Sequence, residues 1–98
     1  MQNRNVTYFL WNNTKNKKLK QQRGIGFEDI VYYIQAGELL DEVEHPNQEK
    51  YPGQRILYVN VSGYVHLIPY VDSEDGYFLK TIIPSRKATK QFLGEQNE

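Results

Sequence analysis

The sequence predicts an α+β domain, in which helices and an antiparallel sheet share one core. Apolar residues recur at helical spacing over residues 27–36, whereas they alternate at strand spacing over residues 55–61. A second strand-like run at residues 64–71 follows directly after Ser62-Gly63, a pair typical of a tight hairpin turn. The chain has 98 residues, of which 39% are hydrophobic and 24% charged, so we expect residues 1–98 to form a single domain with one core.

The first third of the chain is predicted to contain one strand and two helices. Residues 6–11 are aromatic and β-prone, which is typical of a short strand. The polar residues 12–14 can each cap a lysine-rich helix over residues 14–22, which carries Leu19 as its only aliphatic side chain. The second helix, over residues 27–36, presents one apolar stripe, and Gly37 is suited to end it.

The remainder is predicted to contain four strands and one helix. The strands are expected at residues 38–45, 55–61, 64–71 and 77–83, and the helix at residues 86–93. Pro69 has no N–H group, which predicts a bulge or an unpaired position inside the third of these strands. Pro84 is expected to end the fourth strand, Ser85 to cap the helix, and residues 95–98 to form a frayed tail after Gly94. Consecutive hairpins predict an antiparallel sheet with the helices packed on one face.

The formal net charge is zero, but the charges are segregated along the chain. Before Glu28 there is no acidic residue, and six basic residues lie there: Arg4, Lys15, Lys17, Lys18, Lys20 and Arg23. Residues 28–49 contain acids but neither lysine nor arginine, and the sign reverses again from Lys80 to Lys90. This asymmetry indicates an anionic partner, although a small protein can also have a sided surface without one.

Several classes of protein are disfavoured. The chain has no cysteine, so disulfides and thiolate metal sites are excluded. It contains no P-loop, no dinucleotide-binding glycine motif and no His-Glu-x-x-His, and its two histidines are far apart, so we expect neither a cofactor nor a metal. No apolar run approaches the roughly 20 residues of a membrane helix, and the first residues lead into no apolar signal core. A cytoplasmic protein is therefore expected.

Two motifs carry a resemblance to a known family. The first is Phe9-Leu10-Trp11-Asn12, then Lys15, then the run Arg23-Gly24-Ile25-Gly26-Phe27-Glu28-Asp29. The second is Ile82-Ile83-Pro84-Ser85-Arg86-Lys87-Ala88-Thr89-Lys90. Together with the order of elements between them, they resemble the BrnT-like toxins, RelE-fold ribonucleases of bacterial type II toxin–antitoxin systems. Two positions depart from the family: Asn12 replaces its usual aspartate, and Thr81 stands where arginine is frequent.

The resemblance implies a RelE-like fold and a metal-independent endoribonuclease that cleaves mRNA and arrests translation. It also implies a cognate antitoxin protein that binds and neutralises the toxin in a hetero-oligomer. In such a reaction the RNA 2′-hydroxyl attacks the neighbouring phosphate and the 5′-oxygen leaves. A base, a cation that stabilises the phosphate charge, and an acid for the leaving oxygen all accelerate it.

Four residues are candidates for this chemistry. Arg86 begins the last helix, and its guanidinium is suited to grip a phosphate, or else it pairs with an acid such as Glu28. Lys80 is either a second phosphate contact or a solvated lysine. Tyr64 and His66 share one face of a strand, where His66 is a candidate acid or base, although lone strand histidines are more often structural.

A further set of residues is predicted to contact RNA without taking part in the chemistry. It comprises Lys15, Lys18, Lys20, Arg23, Lys50, Tyr51 and Lys87. Lysines attract phosphates without sequence preference, and tyrosines stack on unpaired bases, but both also occur simply on solvated surfaces and in strands. His45, before a loop predicted at residues 46–53, is a weaker candidate. The rival hypothesis is a non-catalytic module on the same fold that binds RNA or protein, which the loss of a basic residue at Thr81 would favour.

Overall fold

A computed structural model describes residues 8–94 of the chain. Its elements are β1 Phe9–Leu10, α1 Asn13–Arg23, α2 Phe27–Gln35, β2 Leu39–Glu44, β3 Arg55–Val61, β4 Tyr64–Ser73, β5 Gly76–Leu79, β6 Ile83–Pro84 and α3 Arg86–Leu93. The predicted α+β class is confirmed. Residues 6 and 7 of the predicted first strand, and the tail expected at 95–98, lie outside the described residues. None of the described helices is both long and apolar enough to cross a membrane.

The six strands form one mixed sheet in the order β1-β5-β4-β3-β2, with β6 paired to β4. The prediction of a four-stranded, purely antiparallel sheet alongside a separate first strand is therefore wrong. β1 joins the sheet parallel to β5, where the Tyr77 N–H donates to the Tyr8 carbonyl at 2.9 Å. Gly76 allows this approach, because a side chain at its φ of 139° would overlap the Tyr8 carbonyl.

The predicted irregularity at Pro69 is present in the pairing between β4 and its neighbour. It divides the strand predicted at residues 77–83 into β5 and β6, while β4 itself is continuous. β5 pairs with the second half of β4, and β6 pairs with the first half in a register shifted by one residue. Between them, residues 80–82 lie opposite only residues 68–69, so one extra residue is accommodated. The Pro69 carbonyl still accepts from the Lys80 N–H at 2.8 Å. Pro84 does not end this strand, as predicted, but belongs to β6.

The helices cover both faces of the sheet, which corrects the prediction that they lie on one face. Helices α1 and α2 cover the first face, whose core consists of Leu19, Phe27, Ile30, Leu57, Val59, Ile68, Tyr70, Leu79 and Ile82. Helix α3 covers part of the second face, where the rings of Tyr58 and Phe92 are 5.2 Å apart. The fully buried Val65 lies on this face, and its N–H donates to the Thr89 hydroxyl at 2.8 Å.

The helix ends follow the chemistry expected of their caps. The Asn12 side chain accepts from the Lys15 N–H at 2.9 Å, and the Ser85 hydroxyl accepts from the Ala88 N–H at 3.0 Å. Gly24 ends α1 in the left-handed region, with φ of 72°. Helix α1 therefore stops sharply, and the chain reverses into α2 within three residues.

A buried asparagine joins the first two helices. Asn16, only 5% exposed, accepts from the Phe27 N–H at 2.7 Å and donates to the Glu28 carboxylate at 3.0 Å. The Phe27 N–H is one of the donors that a helix start leaves unpaired, and it is buried here. Glu28 also pairs with Lys20 at 3.0 Å, and these contacts hold the pKa of Glu28 below its usual value. Asn16 thus fixes the angle at which α2 leaves α1.

We expect Asn16→Ala to lower the free energy of unfolding by about 1–3 kcal/mol, because it leaves the buried Phe27 N–H without a partner. Urea unfolding followed by circular dichroism measures the change. Asn13→Ala, at an exposed position of the same helix, is the matched control and should change it by less than about 0.5 kcal/mol. Equal losses in both variants would contradict the assignment.

Candidate functional site

Two clefts collect several of the residues that the sequence marks as candidates. The first, here the His66 cleft, has a volume of about 710 Å³ and is lined by Arg23, Asp29, Tyr33, Val61, His66 and Pro84, among others. The second, here the Lys80 cleft, has a volume of about 340 Å³ and is lined by Lys15, His45, Tyr51, Gln54, Lys80 and Thr81, among others. The His66 cleft opens where α1 and α2 leave the end of the first sheet face uncovered.

The backbone of β4 fixes the ring of His66. Its Nδ1 lies 3.0 Å from the Tyr64 carbonyl oxygen. Because a carbonyl oxygen only accepts hydrogen bonds, Nδ1 carries the proton, and in the neutral ring the lone pair is on Nε2. The Tyr64 ring packs edge-on against the imidazole, with centroids 5.8 Å apart. Tyr64 thus sets the tautomer and orientation of a histidine that can accept a proton.

The surroundings of His66 favour its neutral form. Burial lowers the pKa of His66 below its ordinary value of 6.5, since a charged imidazolium is poorly solvated there. The positive charge of Arg23 acts in the same direction, and the hydrogen bond to the Tyr64 carbonyl opposes both. At neutral pH the ring is therefore predominantly an unprotonated base.

Arg23 brings a cation to the same cleft. It is the last residue of α1, and its Nη1 donates to the Ile82 carbonyl at 2.6 Å. This contact anchors the guanidinium next to β6, whose Pro84 lies opposite His66. A guanidinium has five N–H donors, so one bond to the backbone leaves others to contact an anion.

Helix α2 contributes two residues to the His66 cleft that were not predicted to be functional. The hydroxyls of Tyr33 and Ser62 share a hydrogen bond of 2.9 Å. The Asp29 carboxylate accepts from the Gly26 N–H at 2.9 Å. Asp29 and Tyr33 are four residues apart, hence on one helix face beside the apolar stripe. The four-residue spacing in the sequence was the signal that the two side chains share a helix face. It does not show which strand of the sheet that face packs against.

The Lys80 cleft gathers residues that are distant in sequence. Lys80 and Lys15 line it together with Tyr51, whose ring lies 4.4 Å from that of His45. The Lys50 ammonium lies 5.5 Å from the centroid of the Tyr51 ring. Lys80 follows β5 and lines the Lys80 cleft, not the one that holds His66.

Other predicted residues lie outside both clefts. Arg86 is exposed at the start of α3 and lines neither cleft, and Glu28 bonds to Lys20 and Asn16 instead of Arg86. Lys18 and Lys87 are also exposed and line neither cleft. Within residues 8–94, no group of three or more histidine, aspartate or glutamate side chains is placed to hold a metal ion.

We expect the imidazole of His66 to titrate with a midpoint below 6.5 in NMR experiments, and His66→Gln to identify its signal. Arg23→Gln should move the midpoint upward, because the arginine charge opposes protonation. Lys17→Gln removes a charge from an exposed position outside both clefts and should leave it unchanged. A midpoint above 6.5 in the wild-type protein would contradict the electrostatics described for this cleft.

Comparisons with protein-family models, with curated proteins and with solved structures found no match to this chain.

Proposed function

We propose that the protein is a metal-independent endoribonuclease that cleaves mRNA, a toxin on a RelE-like fold as the resemblance to BrnT-like toxins implies, and that the His66 cleft is its active site. One observation carries the proposal: a half-buried, neutral histidine with a defined tautomer shares a cleft with an anchored arginine. RNA cleavage by its own 2′-hydroxyl requires a base and a phosphate-binding cation, and His66 and Arg23 supply these two groups.

In the proposed reaction, His66 Nε2 takes the proton of the 2′-hydroxyl. The 2′-oxygen then bonds to the phosphorus, and the bond from phosphorus to the 5′-oxygen breaks. The products are a 2′,3′-cyclic phosphate and a 5′-hydroxyl. The lowered pKa of His66 keeps the base unprotonated at neutral pH. A general base contributes typically about 10²–10⁴ in rate.

Arg23 and Tyr33 supply the remaining groups. The guanidinium of Arg23 binds the non-bridging phosphate oxygens, whose negative charge grows as the 2′-oxygen attacks. The Tyr33 hydroxyl gives its proton to the departing 5′-oxygen, and water then carries the proton held by His66 back to the Tyr33 oxygen. Tyr64 acts as a positioning residue, since its carbonyl fixes the imidazole. In this proposal Arg86, Lys18 and Lys87 contribute general attraction for phosphates outside the cleft.

The proposed enzyme acts in the cytoplasm, where mRNA is found, and is neutralised by an antitoxin with an acidic segment. Helices α1 and α3 lie on opposite faces of the sheet, and α1 and α2 border the His66 cleft. We therefore propose that the antitoxin covers the His66 cleft from the side of α1 and α2. A disordered acidic segment that folds on binding fits this role.

We expect the purified protein to cut single-stranded RNA in excess chelator, leaving 2′,3′-cyclic phosphate ends detectable by mass spectrometry. His66→Ala should slow the chemical step about 10²–10⁴-fold. Arg23→Gln should slow it about 10²–10³-fold, by analogy with oxyanion-hole donors. An RNA with 2′-deoxyribose at the cleaved position lacks the nucleophile and should remain intact.

Lys17→Gln, purified identically, is the control for contaminating nucleases and should retain wild-type activity. Circular dichroism confirms that each variant is folded. If cleavage requires a divalent metal, or if His66→Ala cleaves at the wild-type rate, the proposed mechanism is wrong. If RNA binds without being cut, the protein is instead the non-catalytic module on this fold.

A further inference from the structure

The loop from 45 to 54 is held in one shape by its own side chains. The Gln48 amide nitrogen donates to the carbonyls of His45 and Gln54 at 2.8 and 3.0 Å, and its oxygen accepts from the Gly53 N–H at 3.0 Å. The Asn47 side chain accepts from the Lys50 N–H at 3.1 Å. A long polar loop that is cross-linked in this way loses little further entropy when it binds a ligand.

This loop presents an aromatic surface beside the Lys80 cleft. The Tyr51 and His45 rings are 4.4 Å apart and inclined by 36°, and both line the cleft. His45 Nδ1 accepts from the Asn47 N–H at 3.0 Å, which holds the imidazole in place. Fixed rings at a cleft wall are suited to stack on a flat aromatic group.

The cleft is also positively charged. Lys15, from the first turn of α1, and Lys80, from the bulged segment after β5, both line it, and no acidic residue is among the lining residues described. Lys50 adds a third ammonium at the Tyr51 ring. An aromatic surface in the same cleft as two lysines matches a ligand that combines a flat ring with a phosphate.

We propose that the Lys80 cleft binds an unpaired nucleotide of single-stranded RNA, with its base against Tyr51 and His45 and its phosphate between Lys15 and Lys80. That the ligand is RNA rests on the proposed function. The site is a binding subsite separate from the chemistry at His66. It selects single-stranded RNA, because a base inside a duplex has no exposed ring face to stack on Tyr51.

The two clefts are adjacent along the chain. Ile83 lines the Lys80 cleft and the next residue, Pro84, lines the His66 cleft. Within residues 8–94, β6 pairs with β4 alone, so an RNA strand can pass along the outer edge of β6. An RNA that reaches around this edge contacts both clefts, whereas a dinucleotide occupies the His66 cleft only.

The test is the affinity for a fluorescent single-stranded RNA of about twelve nucleotides, made uncleavable by 2′-O-methyl groups. Tyr51→Ala should weaken binding about 5- to 150-fold without changing the salt dependence, and Tyr51→Phe should retain wild-type affinity. Lys80→Gln should weaken binding and reduce the slope of log affinity against log salt by about 0.7, the value for one phosphate contact in a single strand. The matched controls Lys17→Gln and Tyr8→Ala, exposed and outside both clefts, should stay within about twofold of wild type.

Cleavage assays separate this inference from the proposed function. Lys80→Gln and Tyr51→Ala should raise KM for long RNA, with kcat unchanged and no effect on a dinucleotide. His66→Ala should slow cleavage about 10²–10⁴-fold without changing the affinity for the uncleavable RNA. If the wild-type protein binds through Tyr51 and Lys80 but cuts nothing, the proposed function fails and the subsite is supported. If the RNA does not bind, or if both variants bind as the controls do, the subsite is overturned.

Discussion

The missing N–H of Pro69 is the constraint on which both clefts depend. A strand opposite Pro69 cannot receive a hydrogen bond from it, and the chain accommodates one extra residue there. Because side chains alternate along a strand, the extra residue moves each later side chain of the strand to the opposite face of the sheet. Leu79 before the bulge and Ile82 after it are therefore both buried in the core between the sheet and α1–α2.

The same change of sheet face also determines which residues line each cleft. It places Pro84 opposite His66 at one cleft, and it places Lys80, Thr81 and Ile83 at the other. The Ile82 carbonyl, turned out of the ladder, becomes the acceptor for Arg23. One imino acid in β4 thus connects the position of the cation near His66 with the position of the lysine in the second cleft.

Local chemistry in the sequence was sufficient to predict several of these features. The caps at Asn12 and Ser85 and the irregularity at Pro69 depend on neighbouring atoms, and all three are present. The parallel pairing of β1 with β5 was missed, because it joins segments nearly 70 residues apart and has no hairpin to reveal it. Helix α3 was placed on the wrong face, since its apolar stripe fits either face of a sheet equally well.

In the clefts, too, residue types were predictable from the sequence, whereas their arrangement in space was not. His66 and Lys80 were recognisable as candidates from residue type, but their separation into two clefts follows from the register shift. Arg23 was expected only to attract phosphate, because nothing in the sequence shows that the end of α1 reaches the Ile82 carbonyl. The shape of the 45–54 loop depends on three bonds of one glutamine, and no residue pattern predicts those.

The acidic strand β2 has a consequence for how copies of this protein meet one another. Among the described strands it lies at one border of the sheet and pairs with β3 alone, and the carboxylates of Asp41 and Glu44 are exposed. Such a border is a template for a second strand, and two identical molecules that joined there would bring these like charges together. Electrostatic repulsion therefore keeps the border open at neutral pH. High ionic strength screens these charges, so it weakens the protection and makes pairing along β2 more favourable.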